Sequence, residues 1–263
     1  MTLTVFLAVL FAAFLHAAWN ALLKTGASKI AGMTMMTLLQ GVMGFAAALT
    51  MPLPDPKVWI WLIGSAIFHS GYNLFLAFAY EQGDLSRVYP IARGAAPMMV
   101  MLFSLIVLAD VMSPAEYLGI LILGLGIAVM ARGAFANGES RKLVPLALGS
   151  AVMTAGYSIV DGLGARVSGD ALLYVSWMFF LSAVFYVPAA LALRGRSCLP
   201  PEPSYWVRGL FAALGSVGAY AIAVWAMTVA PIALVAALRE SSILFAMLIG
   251  WIIFKDRMDG HKL

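Results

Sequence analysis

The sequence predicts an all-α integral membrane protein, an inverted repeat of two five-helix halves with the tenth helix missing, about nine transmembrane helices in all. Three observations lead there. Residues of the AVILMFWYC set make up 63% of the 263, only 11% are charged, and the mean hydropathy is +0.96, whereas a soluble domain has roughly 45–50% apolar and about 25% charged residues. Nine apolar runs follow one another with short polar breaks, each long enough to cross ~30 Å of hydrocarbon. One of these helices occurs twice: residues 77–112 align without a gap on 223–258, pairing Arg93 with Arg239, Met101 with Met247, Leu102 with Leu248, Ile106 with Ile252, Asp110 with Asp256 and Met112 with Met258.

Taken in order, the spans cover about 3–23, 30–51, 58–80, 86–109 and 114–131 in a first half of residues 1–140. The second half, 141–263, has spans at 143–163, 171–193, 205–229 and 232–254. The N-terminus lacks a basic leader, and His16, Trp19 and Asn20 stand where a cleavage site would fall, so it reads as the first span. Ala17-Ala-Trp19-Asn20 followed by Gly26-Ala27 matches Ala155-Gly-Tyr157-Ser158 followed by Gly164-Ala165, which extends the repeat to the first helix of each half. An odd number of helices per half places the halves in opposite orientation, the plan of many secondary transporters. Ser113-Pro114-Ala-Glu116 is a capped start for the fifth helix. At the matching place stands Asp259-Gly260-His261-Lys262, a start without its helix, which is expected to reflect truncation.

The charges fit a bilayer. Of the 16 Lys and Arg residues, only Lys57 and Arg166 fall in loops on one face, Arg93 and Arg239 lie inside spans, and the rest share the other face. The positive-inside rule then puts the first loop in the cytoplasm and the N-terminus outside. The net charge of +4 is spread over helix ends and does not indicate a nucleic-acid partner. No loop is long enough for a soluble catalytic domain, and the one cysteine, Cys198, excludes a disulfide framework.

A guanidinium within a spanning helix costs roughly 3 kcal/mol on insertion scales and needs a reason. Arg93 and Arg239 enter from opposite faces and could together clamp a carboxylate, phosphate or phosphonate; the alternative is that each snorkels to the interface. Pro90 and Pro97 flank Arg93 and would free helix carbonyls toward a cavity. Glu240 follows Arg239, but successive helix positions point ~100° apart, so the two are not expected to face each other. Glu240 is a candidate for proton coupling or for a structural ion pair. Polar faces stand out on four further helices: His16, Trp19, Asn20 and Lys24; His69, Tyr72, Asn73 and Tyr80; Tyr157, Ser158 and Asp161; Ser216 and Tyr220. In an apolar protein they must turn toward one another or toward a wet cavity. His16 and His69 are too isolated for a metal site, no cofactor motif is present, and no nucleophile–base or paired-carboxylate constellation suggests an enzyme. Gly119 and Gly126 on the fifth helix read as close packing.

Two segments, Leu15-His-Ala-Ala-Trp-Asn-Ala-Leu-Leu-Lys24 and Gly83-Asp-Leu-Ser-Arg-Val-Tyr-Pro-Ile-Ala-Arg93, together with Asp110 and Asp256 closing the fourth helix of each half, resemble the EamA-type transporters of the drug/metabolite transporter superfamily. The match is nearest the branch associated with phosphonate utilisation. The resemblance implies a central cavity lined by helices 1, 3, 4, 6, 8 and 9, alternating access, and movement of small metabolites across the cell (inner) membrane. The family's usual placement of both termini in the cytoplasm runs against the charge count above. The expectation is a transporter for a small anionic or zwitterionic metabolite. Arg93 and Arg239 would hold the anion, and His16, Trp19, Asn20, Tyr72, Asn73 and Tyr157 would line the cavity. The rivals are a lipophilic-cation exporter using Glu240 and a non-transporting membrane subunit, whose open edge would take a partner such as a second copy.

Overall fold

The computed structural model describes residues 1–23, 29–82, 85–107, 110–131 and 143–253. Within them the chain forms ten α-helices: α1 Leu3–Leu23, α2 Lys29–Ala48, α3 Trp59–Gln82, α4 Leu85–Val107, α5 Pro114–Ala131, α6 Leu143–Ser168, α7 Ala171–Arg194, α8 Pro203–Val229, α9 Ile232–Arg239 and α10 Ser242–Ile253. Short 3₁₀ turns at Pro56–Val58 and Gly195–Cys198 precede α3 and follow α7, and there is no strand among the described residues. A backbone in hydrocarbon must bond to itself, so a helix is the only open-chain solution.

The helix ends follow from local chemistry. Asp170 caps α7, its side chain accepting from Leu172 N–H and Leu173 N–H, and Gly169 before it takes a φ of 71°. The start predicted for α5 is built as a capping box: Ser113 N–H donates to Glu116 Oε2 at 2.8 Å, and Glu116 N–H to Ser113 Oγ at 3.4 Å. Met1 ammonium lies 3.7 Å from the same glutamate.

The last span differs from the expected single helix. It breaks at Glu240–Ser241, so α9 and α10 are two pieces, with the turn held by Glu240 N–H donating to Ala237 O and Ile243 N–H to Glu240 O. Six stretches among the described residues are long and apolar enough to cross a membrane, one of them Ile232–Ile252 with α9 and α10 taken together. Among the described residues α4 and α5 contribute shorter apolar stretches, Ala95–Ile106 and Pro114–Gly126.

Packing pairs helices across the halves: α1 lies on α8 and α3 on α6, α2 on α7, α4 on α6 and α9, and α1 on α9 and α10. Small residues set the closest approaches. On α6, Gly149, Gly156 and Gly164 sit under Phe75, Phe68 and Trp61 of α3; on α2, Gly41 and Gly44 meet Ala183 and Ser176 of α7. Gly119 and Gly126 do not pack closely; nothing lies within 4 Å of a Cβ built at either, and the tight glycine of α5 is Gly124, against Met98. Leucines, isoleucines and phenylalanines face outward, and many serines and threonines face inward, the reverse of a soluble bundle. Gly44→Val is expected to destabilise by about 1–3 kcal/mol through overpacking, since even the Cβ would come 2.5 Å from the Ser176 carbonyl. A melting curve in detergent reads this directly, and an unchanged midpoint would mean that α2 and α7 can separate without penalty.

Candidate functional site

The break between α9 and α10 opens onto a cavity in the middle of the bundle. Ala96, Pro97 and Val100 of α4, Thr154, Tyr157 and Ser158 of α6, and Ala236, Arg239 and Glu240 at the break line it. Arg239 and Glu240 both line this cavity. Glu240 is 4% exposed. The space among these residues is about 10 Å³, about one water molecule. At the start of α10, Ser242 Oγ is buried without a hydrogen-bond partner.

Beside the cavity is a polar cluster assembled from four helices. Asp161 of α6 is fully buried. Its Oδ1 accepts from Tyr174 Oη of α7 at 3.1 Å, and its Oδ2 lies 2.9 Å from His69 Nε2 of α3 and accepts from Tyr220 Oη of α8. Tyr220 Oη is also 3.3 Å from His69 Nε2. The His69 ring stacks on Tyr157 at 4.1 Å and 12°, and the Arg239 guanidinium lies 5.0 Å over the Tyr220 ring. Tyr157 and Arg239 thus touch both the cavity and the cluster.

A second polar assembly closes one end of the bundle. Arg166, at the end of α6, forks onto Asp110 with Nη1 to Oδ1 at 2.8 Å and Nη2 to Oδ2 at 3.2 Å. It also donates to the carbonyls of Met227 and Ala230 at the end of α8, at 2.8 and 3.0 Å. Asp110 Oδ2 takes the Ile232 N–H at the start of α9, 3.0 Å away. With Met1 near Glu116, this end gathers the starts of α1, α5 and α9 and the ends of α4, α6 and α8.

The other residues singled out from the sequence spread through the bundle. Trp19 packs against α8 near Gly215, stacks edge-on with His16 at 4.9 Å, and leaves its buried Nε1 without a partner. Asn20 donates to its own helix, to His16 O. Asn73 reaches Thr37 of α2 at 3.3 Å, and Tyr72 meets Tyr157 edge-on at 5.7 Å. Gln40 donates to Ser216 at 2.9 Å. The side chain of Arg93, and Lys24 and Asp256, lie outside the described residues. Sequence reading passed over Tyr174, whose role depends on α7 crossing Asp161, and treated Asp161 only as one polar residue of a face; an aspartate in an apolar run was the available signal.

Comparison with known proteins bears on the whole chain. The family model described as the EamA-like transporter family matches residues 2–132 and again 141–263. A solved crystal structure of a protein is similar over 98% of this chain and 92% of its own, at 21% identity and a TM-score of 0.75, a likeness of fold. No curated protein matches. A bundle of apolar helices around a polar interior, matched by one transporter family over nearly its full length, places this chain in the EamA-like transporter family, as a multi-pass membrane protein of the drug/metabolite transporter type.

Proposed function

We propose that this protein is a secondary transporter of the cell (inner) membrane that moves a small anionic or zwitterionic metabolite, of carboxylate, phosphate or phosphonate type, by alternating access. The observation that carries the reading is Arg239, a guanidinium placed on a membrane-interior cavity at a broken helix. Broken helices at mid-membrane cavities are the binding device of several transporter folds. Arg93 is its partner by repeat register and is taken as the second arm of the clamp. Trp19, with an unpartnered Nε1, and Tyr157, on the cavity wall, are donors for the same ligand. His16, Asn20, Tyr72 and Asn73 are assigned to the surrounding wall.

An inverted repeat of residues 1–140 and 141–263 fits the packing. Exchange of α1 with α6 and α3 with α8 carries the α1–α8 contact into α6–α3. The start of α1 shares an end with the finish of α6, as antiparallel halves require. That end holds Arg166 but few other cations, so it is placed outside. The closed cavity and the Arg166 lock on that end describe one state of a cycle, and release of the lock would open it.

The test is the melting point of the purified protein with methylphosphonate, succinate, alanine and tetraphenylphosphonium, since a ligand that binds only the folded state raises it. Stabilisation by an anion or zwitterion that disappears in Arg239→Ala and in Arg93→Ala is expected. Stabilisation by tetraphenylphosphonium alone, lost in Glu240→Ala, would replace the reading with a lipophilic-cation exporter.

A further inference from the structure

We propose that the His69–Asp161 pair is the site at which this transporter takes up a proton, and that proton and anion bind together. The anion's part rests on the function proposed above; the proton site does not. A carboxylate at membrane depth is expensive unless compensated, and Asp161, fully buried, receives Tyr174, Tyr220 and His69. An ionised carboxylate only accepts, so the ring nitrogen facing it, Nε2, carries a hydrogen, and the titrating proton adds at Nδ1.

The surrounding charges single out His69 as the group that changes. α6 contributes Asp161 and Tyr157, α3 contributes His69 and Tyr72, α7 contributes Tyr174, α8 contributes Tyr220, and the α9–α10 break contributes Arg239 and Glu240. α4 carries Arg93, whose side chain lies outside the described residues. Among the described residues the groups bonded to Asp161 are His69 and two tyrosines, and of these only the histidine can become a cation. Histidine is the side chain whose ordinary titration falls near neutrality.

Two further observations separate a coupling site from a packing device. By repeat register Leu23 stands opposite Asp161, Leu74 opposite Tyr220 and Gly215 opposite His69, so the α1–α8 contact that matches α6–α3 carries no ionisable group at these positions. Among the described residues the cluster touches the cavity through Tyr157, stacked on His69, and Arg239, over Tyr220. An anion held by Arg239 neutralises the nearest cation and favours the proton on His69. By reciprocity the proton then tightens the anion by the same factor.

The experiment is NMR titration of the ¹⁵N-histidine-labelled full chain in lipid nanodiscs. Only three histidines are present, and loss of a signal in His69→Gln assigns the one of interest. A change in the protonation state of the His69 ring is expected within the titrated range, pH 5 to 9, with proton affinity falling at least tenfold in Asp161→Asn. Should that variant fail to fold, Tyr220→Phe serves: it removes a competing donor from Asp161 and should raise the midpoint. A ring that keeps one protonation state from pH 5 to 9 overturns the proposal.

Methylphosphonate is then added, and the His69 midpoint is expected to rise. If it raises the melting point but leaves the His69 midpoint unmoved, the coupling is wrong while the anion site stands. If tetraphenylphosphonium binds and lowers the midpoint, the proton site is supported and the anion reading falls. A titrating His69 that no bound probe shifts overturns the coupling.

Discussion

Asp161→Leu is expected to be the most destabilising single substitution at this site, lowering the melting temperature in detergent more than any change to the cavity wall. The leucine has a comparable volume but no acceptor. Tyr174 Oη would keep only Trp61 O and His69 Nε2 only Tyr220 Oη, each at 3.3 Å, while the Tyr220 hydroxyl would lose its acceptor, a stranded buried donor costing about 1–3 kcal/mol. Removal of one member of a buried charged network typically costs about 3–5 kcal/mol, and a value in that range is expected from equilibrium unfolding. Asp161→Asn keeps one acceptor oxygen and should lose about half as much. A loss below about 1 kcal/mol would mean that water enters the cluster and satisfies it.

Arg166→Ala should open the closed end. It removes both bonds to Asp110 and the donors to Met227 O and Ala230 O. Asp110 would then hold only the Ile232 N–H at the start of α9. Charge-assisted bonds contribute about 1.5–3 kcal/mol where they are buried. This side chain is 30% exposed, so a total near 2 kcal/mol is expected after discount for solvent screening. The sharper readout is hydrogen exchange across the first turn of α9, which should quicken at least tenfold. Arg166→Lys keeps the charge but not the planar fork, and should recover only part of the protection. Unchanged exchange in Arg166→Ala would show that helix packing alone holds this end shut.

Much of the architecture could be read from the chain because hydrocarbon leaves so few choices. Apolar runs of spanning length must be helices, and the starts of α5, at Ser113–Glu116, and of α9, after Pro231, lie where the sequence placed them. The end of α6 was underestimated: Gly162, Gly164 and Arg166 read as a terminus, yet the helix runs on to Ser168, its glycines packed under Ile232 and Tyr174 and its arginine bound to α8. The break at Glu240 was hidden for the opposite reason. Ile232–Ile252 is apolar throughout except for Arg239, Glu240 and two serines, and it carries no proline or glycine at the interruption. Its cause is tertiary: Arg239 lies over Tyr220 and Glu240 is buried against the cavity.

The site divides along the same line. Arg239, Glu240 and Tyr157 were legible because a charge or a large polar ring in a spanning helix has to be compensated. That His69, Asp161, Tyr174 and Tyr220 form one cluster was not, since they come from four helices and their meeting depends on how α3, α7 and α8 cross α6. By itself, the sequence determined the class, the helices and the repeat, because the bilayer enforces them one segment at a time. Only the tertiary structure decided which buried charges share a neighbour, because a compensating partner can lie on any helix and no local rule selects it.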